Sequence, residues 1–340
     1  MKHDLPVSRR LPVDTLRRLS AALTVVALAG SGALAATPAQ ATGKAAGSPC
    51  ITSTARATTW RQAPDTDHVT PAMRAHVARV ARTMTGSASA RATLPAHVRV
   101  PVVIHLIRGR HHGEHRINKH RARQMFRTLK AGFAGAQNPA MAPTGVNFKL
   151  RRITTSRNDQ WFHAAPFSRA DRQMKKRLHR GNARTLNIYV NRPKSRGELL
   201  LGFSLFPWQR RGHKPLDGVT ISEISLPGGR ATGYNLGDTV IHETGHWMGL
   251  LHTFEGGCAT GVGGDGVADT AAEAEASFRC DERNTCLVNE LDPATGLVTD
   301  RPDPIHNFMD YSYDFCMDHF TPGQRERMIA LFMHYRAGRR

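Results

Sequence analysis

Residues 242–252 read His-Glu-Thr-Gly-His-Trp-Met-Gly-Leu-Leu-His, and this string constrains the fold more than any other stretch of the 340-residue chain. On a helix His242 and His246 lie four residues apart, so both imidazoles leave one face about a turn apart. That spacing suits two nitrogens converging on one zinc ion. Glu243 sits beside the first ligand, where its carboxylate reaches an attacking water rather than the metal. Gly249 lets the chain leave the helix by a sharp turn in a left-handed conformation. His252 then returns as a third ligand. Three histidines leave a fourth coordination position open, which distinguishes a catalytic zinc site from a closed structural one. The five-residue HExxH core arises by chance often enough to be discounted alone; Gly249 and His252 at fixed offsets make chance a poor explanation.

A second element lies downstream, in Asn307-Phe308-Met309-Asp310-Tyr311-Ser312-Tyr313-Asp314-Phe315-Cys316-Met317. Zinc peptidases with the long motif place a methionine turn as a hydrophobic floor under the three histidines, and Met309 fits that role by packing, not chemistry. Tyr311, two residues on, is placed to reach the metal or a developing oxyanion; the alternative is a half-buried core tyrosine.

With Thr-Phe-Glu-Gly-Gly-Cys (253–258), Asp-Gly-Val-Ala-Asp-Thr (265–270) and the run NFMDYSYDFCMDHFTPGQRERM (307–328), the chain resembles the pappalysin family of metzincins. Upstream, VPVVIHLI (100–107), LNIYV (186–190), LGFSLFPW (201–208) and DGVTIS (217–222) resemble that family's sheet. The similarity covers about residues 97–335 and is that of a single-domain bacterial-type member. It implies an α+β fold: a mixed, mostly parallel twisted sheet with the active-site helix in an upper subdomain, over an irregular lower subdomain stapled by disulfides. It also implies a zinc metalloendopeptidase with Glu243 as general base, and the crossed pairing Cys258–Cys286 and Cys280–Cys316. Spacing alone leaves all three pairings of these four cysteines open. Asp265, Asp269 and Thr270 offer hard oxygens in a Gly-rich loop, a candidate calcium site that the resemblance supports. The chain departs from the family in having Asp-Thr-Ala where Asp-Thr-Pro is usual.

The N-terminus predicts export. Arg9, Arg10, Arg17 and Arg18 precede an apolar stretch of small residues, 19–36, and Ala33-Leu34-Ala35 and Ala39-Gln40-Ala41 are both cleavage-site patterns. Residues 1–41 are read as a signal peptide, 42–95 as a propeptide or linker and 96–340 as the catalytic domain. The expected product is secreted and extracellular, with no stable membrane insertion once the signal is removed. Cys50, the odd cysteine, is a candidate zymogen ligand whose thiolate occupies the open zinc position; the plainer reading is a free or intermolecularly paired thiol.

Periodicity predicts helices over 71–84, 117–134 (Ile117, Met125, Leu129 and Phe133 facing inward), 237–248 and from Pro322 onward. Strands are expected at VRVPVVIHLI and near 146–154, 185–191, 200–207 and 218–225, with 200–207 the edge strand on which an extended peptide pairs.

Charge divides the chain unevenly. The net charge is +20, yet residues 231–320 hold 3 Lys/Arg against 16 Asp/Glu, leaving +33 on the remainder. The basic part suggests retention on an anionic envelope surface, or simply a solvated exterior. Nucleic-acid binding is excluded by the lack of any recognition motif and of aromatic interleaving. Carboxylates near the cleft favour cationic side chains, so the expected substrate is a protein or peptide with Lys or Arg just after the scissile bond, and Asp314 is a candidate wall of that specificity pocket. Two other readings compete: an envelope-polymer-binding zinc protein that does not cut, and a cell-wall amide hydrolase.

Overall fold

The structure is a computed structural model and describes residues 69–110, 117–195, 197–258, 264–286, 290–291, 298–299 and 301–338. These belong to one compact unit, Ile51–Arg340; a second unit, Met1–Cys50, lies outside the described residues, as do the expected signal peptide and Cys50.

Strand β1 (Val98–Arg108) is buried along nearly its whole length, as a central strand of a parallel sheet covered on both faces must be. Beside it run β2 (Val146–Arg157), β3 (Leu186–Asn191), β6 (Gly202–Ser204) and β7 (Val219–Ser222) in the order β2-β1-β3-β7-β6. The first four are mutually parallel. The terminal strand β6 runs antiparallel to β7, pairing Gly202 with Ile221 and Ser204 with Val219. The segment 200–207 was expected to extend as strand throughout; only three of its residues pair, because β7 is just four residues long and Pro207 brings no N–H to a ladder. A separate small hairpin, β4 (Lys194–Ser195) with β5 (Glu198–Leu199), precedes β6.

Helix α3 (Lys119–Phe133) crosses between β1 and β2. Asn118 caps it by accepting from the Arg121 N–H, and Met125, Leu129 and Phe133 are fully buried together with Ile117, as the periodicity requires. Three α-helices escaped the periodicity reading: α2 (Ala88–Ala92), α4 (Asp159–Phe162) and α5 (Arg169–Leu178). The zinc-motif helix, α6 (Thr239–Met248), is buried at every position. It ends at Gly249, whose φ of 107° is closed to other residues without strain. The last α-helix, α7 (Pro322–Phe332), opens with a capping box in which Thr321 and Gln324 satisfy each other's backbone N–H, and a single π turn follows at Met333–Ala337.

Upstream of the sheet, α1 (Pro71–Thr85) and α2 (Ala88–Ala92) come from the stretch expected to be propeptide or linker. Helix α1 packs against α7, burying Val77 and Ala81. Val69 joins Phe206 and Leu251 in a small apolar cluster. The fold thus incorporates the end of that stretch.

From Gly249 to Thr321 the described chain is irregular, apart from the two-residue strands β8 (Glu290–Leu291) and β9 (Val298–Thr299). Both implied disulfides are formed, Cys258–Cys286 and Cys280–Cys316, and they staple this lower subdomain.

Candidate active site and metal centre

Helix α6 presents His242 and His246 from one face, and the turn at Gly249 brings His252 back to them. The Nε2 atoms of His242 and His252 each lie 3.0 Å from His246 Nε2. The three imidazoles are buried, and the other nitrogen of each ring is already engaged. His242 Nδ1 donates to the Phe308 carbonyl at 2.7 Å, His246 Nδ1 to the Leu250 carbonyl at 2.8 Å, and His252 Nδ1 faces Glu255 Oε2 at 3.2 Å. A ring that has given its proton to an acceptor at Nδ1 presents a bare lone pair at Nε2. Three such lone pairs crowded together cannot hydrogen-bond to one another; a cation among them resolves the arrangement. Burial holds His242 down to about 3 and His246 well below the usual histidine range, so both are neutral near pH 7, as metal ligands must be. The donor set therefore fits zinc, with imidazole orientation fixed from behind by carbonyls and by one carboxylate.

Glu243 is 1% exposed and lies directly beneath the edge strand: an ideal Cβ on Gly202 would stand 2.8 Å from its Oε1. The absence of a side chain at 202 is what allows strand and carboxylate to approach so closely.

The methionine turn assembles the other side. The Phe308 carbonyl takes the His242 proton, and Met309 is fully buried, with its sulfur where a Cβ on Gly245 would overlap it. Asn307 holds the turn, accepting from the Met309 N–H at 3.0 Å and exchanging amide hydrogen bonds with Gln324 of α7. Tyr311 Oη stands 3.1 Å from His252 Nε2, and Tyr234 Oη donates to the Tyr311 carbonyl at 3.0 Å. Glu255 and Tyr234 were missed in the sequence. Glu255 follows the third histidine by three positions and carried a readable signal; Tyr234 carried none.

A cavity opens beside these residues, lined by 199–201, Tyr234, Glu243, Phe278, Tyr311 and Asp314 among others. Asp314 Oδ2 accepts backbone N–H bonds from Leu236 (2.8 Å), Gly237 (3.0 Å) and Asp238 (3.4 Å), just before α6. Its Oδ1 is buried without a partner among the described residues. Burial raises Asp314 to about 6, and burial together with the Asp314 charge raises Asp238 to about 8.

Asp265, Asp269 and Thr270 are brought together, but on protein donors. Asp265 accepts from the Val267 N–H and from Gln324 Nε2, and Asp269 from the Thr321 hydroxyl and the Gly323 N–H. Thr270 Oγ1 lies 3.4 Å from Thr321 Oγ1, and the Arg327 guanidinium donates to the Asp265 and Gly266 carbonyls. These oxygens fasten the loop to the start of α7, with a buried cation already beside them.

The peptidase family model described as pregnancy-associated plasma protein-A matches residues 171–333. An extracellular metalloprotease of Sordaria macrospora is 44% identical over 204 residues, covering 59% of this chain and 65% of its own length. One from Arthroderma benhamiae is 38% identical over 208 residues, covering 60% and 69%. The chain thus spans just under two thirds of the first of these relatives. Among solved structures, mature mirolysin of Tannerella forsythia in complex with a cleaved peptide superposes with a TM-score of 0.52 at 27% identity, over 69% of this chain and 92% of that one.

Proposed function

The chain belongs to the pappalysin family of metzincin peptidases, and on that footing we propose that it is a secreted zinc metalloendopeptidase. The observation that carries this reading is the convergence of three back-anchored Nε2 atoms beside a buried glutamate, under the open edge of a sheet.

Zinc held by His242, His246 and His252 supplies Lewis acidity for an attacking water and for the scissile carbonyl. The protein's own residues do the rest. A substrate strand lies along β6, its backbone hydrogen-bonded to the sheet edge. Glu243 accepts the proton of the attacking water and returns it to the leaving nitrogen. Tyr311 Oη donates to the tetrahedral oxyanion. The cavity holding Asp314 receives the side chain that follows the scissile bond, and the unpartnered Oδ1 favours Lys or Arg there. Calcium is not needed for this account, because Asp265, Asp269 and Thr270 serve the contact with α7.

Residues 1–41 direct export, and no described helix is long and apolar enough to cross a membrane. The basic remainder of the chain retains the secreted protein on an anionic envelope surface. Cys50, outside the described residues, is proposed as the thiolate that occupies the open coordination position until its segment is removed.

The test is a digest of a proteome-derived peptide library by the secreted protein, with and without a zinc chelator, and with Glu243→Ala as control. Chelator-sensitive cleavage before Lys or Arg, lost in a Glu243→Ala protein that keeps its zinc, is the expected result. Cleavage with another preference removes the role of Asp314. No cleavage by zinc-loaded protein freed of the segment that bears Cys50 refutes the peptidase reading; release of peptidoglycan fragments would then mark a cell-wall amide hydrolase, and its absence a non-cutting binder.

A further inference from the structure

The edge strand β6 lies between two cavities of opposite charge. At its entry, the cavity beside 199–201 contains Glu243, Asp310 and Asp314 and no lysine or arginine. At its exit, a second cavity of about 280 Å³ is lined by His76, Pro207, Trp208, Arg210, Arg211, His334 and Tyr335, and no carboxylate lines it. The site histidines sit between: Gly202 covers Glu243, and the Phe206 ring meets His246 at 5.1 Å between centroids and stacks on Trp208 at 4.5 Å.

The second cavity offers donors and cations. The Trp208 ring, stacked on Phe206, forms one wall of it. Arg210 pairs with Asp217 at 3.0 Å, but Asp217 is also held by Arg336 at 2.9 Å, so one carboxylate faces two guanidiniums and a positive charge remains. Arg211 adds another and is exposed.

Resting on the peptidase reading above, we propose that this cavity is an anion subsite for an aspartate or glutamate side chain of the substrate, on the N-terminal side of the scissile bond. The direction follows from the acidic cavity: if the residue after the scissile bond enters beside Asp314, at the 199–201 end, the preceding residues run toward Trp208. Trp208 lies six positions beyond Gly202, in the turn that follows β6, so the acid falls several residues before the cut, within about the third to the sixth. A substrate with an acid upstream and a base at the cut then matches the site at both ends.

The test compares two peptide sets that share Arg after the scissile bond and carry Glu or Gln at the third to sixth preceding positions. Each set is cleaved by the wild-type protein, Arg211→Glu and Trp208→Phe. Wild-type kcat/KM should favour Glu by about three- to tenfold at low salt, the range expected of one partly exposed charged contact, and the preference should shrink as salt screens it. Arg211→Glu should abolish or invert that preference while selection for Arg at the cut persists. Trp208→Phe, which keeps the stack and both guanidiniums, should leave it nearly unchanged. Equal cleavage of Glu and Gln sets by the wild type, or a preference untouched by Arg211→Glu, overturns the subsite and leaves the peptidase standing. No cleavage of either set refutes both.

Discussion

Replacing Gly202 by alanine puts the geometry above Glu243, the proposed general base, to a direct test. The added Cβ would lie 2.8 Å from Glu243 Oε1, 2.9 Å from Glu243 Cγ and 3.0 Å from the Thr220 carbonyl. Carbon atoms in good contact stand about 3.5–4.0 Å apart, so something must yield by roughly 0.7 Å. The Thr220 carbonyl belongs to β7, inside the sheet; the carboxylate is the softer partner and retreats. A misplacement of about 1 Å in a reacting group costs on the order of 100-fold in rate, or about 2.7 kcal/mol of barrier. Stability should change less. Overpacking costs about 1–3 kcal/mol, offset in part by about 0.5–1 kcal/mol because alanine restricts the unfolded chain more than glycine does. The expected result is therefore a fall in kcat of about two orders of magnitude with KM and zinc content nearly unchanged and the thermal midpoint lowered by only a few degrees. Steady-state kinetics on one Arg-containing peptide, metal analysis and a melting curve decide it. A Gly202→Ala protein with more than half the wild-type kcat would show that the glutamate is not held by that contact.

Three further outcomes follow from the same geometry. His252→Ala should weaken zinc retention on dialysis, whereas Tyr311→Phe should keep the metal and lower kcat; equal zinc loss in both would remove the distinction between ligand and oxyanion donor. Arg336, fully buried, stacks 3.7 Å over the Trp247 ring and pairs with Asp217. Arg336→Leu leaves that carboxylate short of a partner and should lower unfolding free energy by about 3 kcal/mol in urea titrations; a change below about 1 kcal/mol refutes the pair's importance. Asp238, raised to about 8 by burial and by Asp314, binds its proton more tightly folded than unfolded, so its contribution is present at low pH and lost as pH rises through about 8. Asp238→Asn should therefore be relatively more stable than wild type at pH 8 than at pH 5, and urea midpoints showing the same difference at both would contradict this.

Where sequence signals were local, they could be read. The spacing of His242, His246 and His252 is a property of one helix and one glycine turn, and the inward face of α3 recurs at helical period. What escaped depends on partners far along the chain. Helix α5 reads Arg-Ala-Asp-Arg-Gln-Met-Lys-Lys-Arg-Leu, a solvated surface by composition, yet Asp171 and Lys175 are buried as a pair 3.3 Å apart, with Lys175 Nζ 4.4 Å over the Phe203 ring. Burial disfavours both charges, raising Asp171 and lowering Lys175, and the pairing, the aromatic box and the Phe167 N–H donated to Asp171 offset it. No period in the sequence announces that. Likewise Asp217 meets Arg336 across 119 positions. The resemblance supplied the crossed disulfides and the methionine turn; the donors to Asp265 and Asp269 from Thr321, Gly323 and Gln324 lie more than fifty residues on, and no local signal announces them.

The two disulfides overlap in sequence, one closing 258–286 and the other 280–316. Every peptide bond between Cys258 and Cys316 is therefore enclosed by at least one of them. On the function proposed above, a protease secreted among its own copies would expose its irregular segments to attack, and this is the least regular part of the described chain. A single cut anywhere in it would leave the piece bearing the three histidines covalently joined to the piece bearing Met309 and Tyr311. The crossed pairing makes the catalytic half tolerant of being nicked, which two sequential, non-overlapping disulfides could not do for the residues left between them.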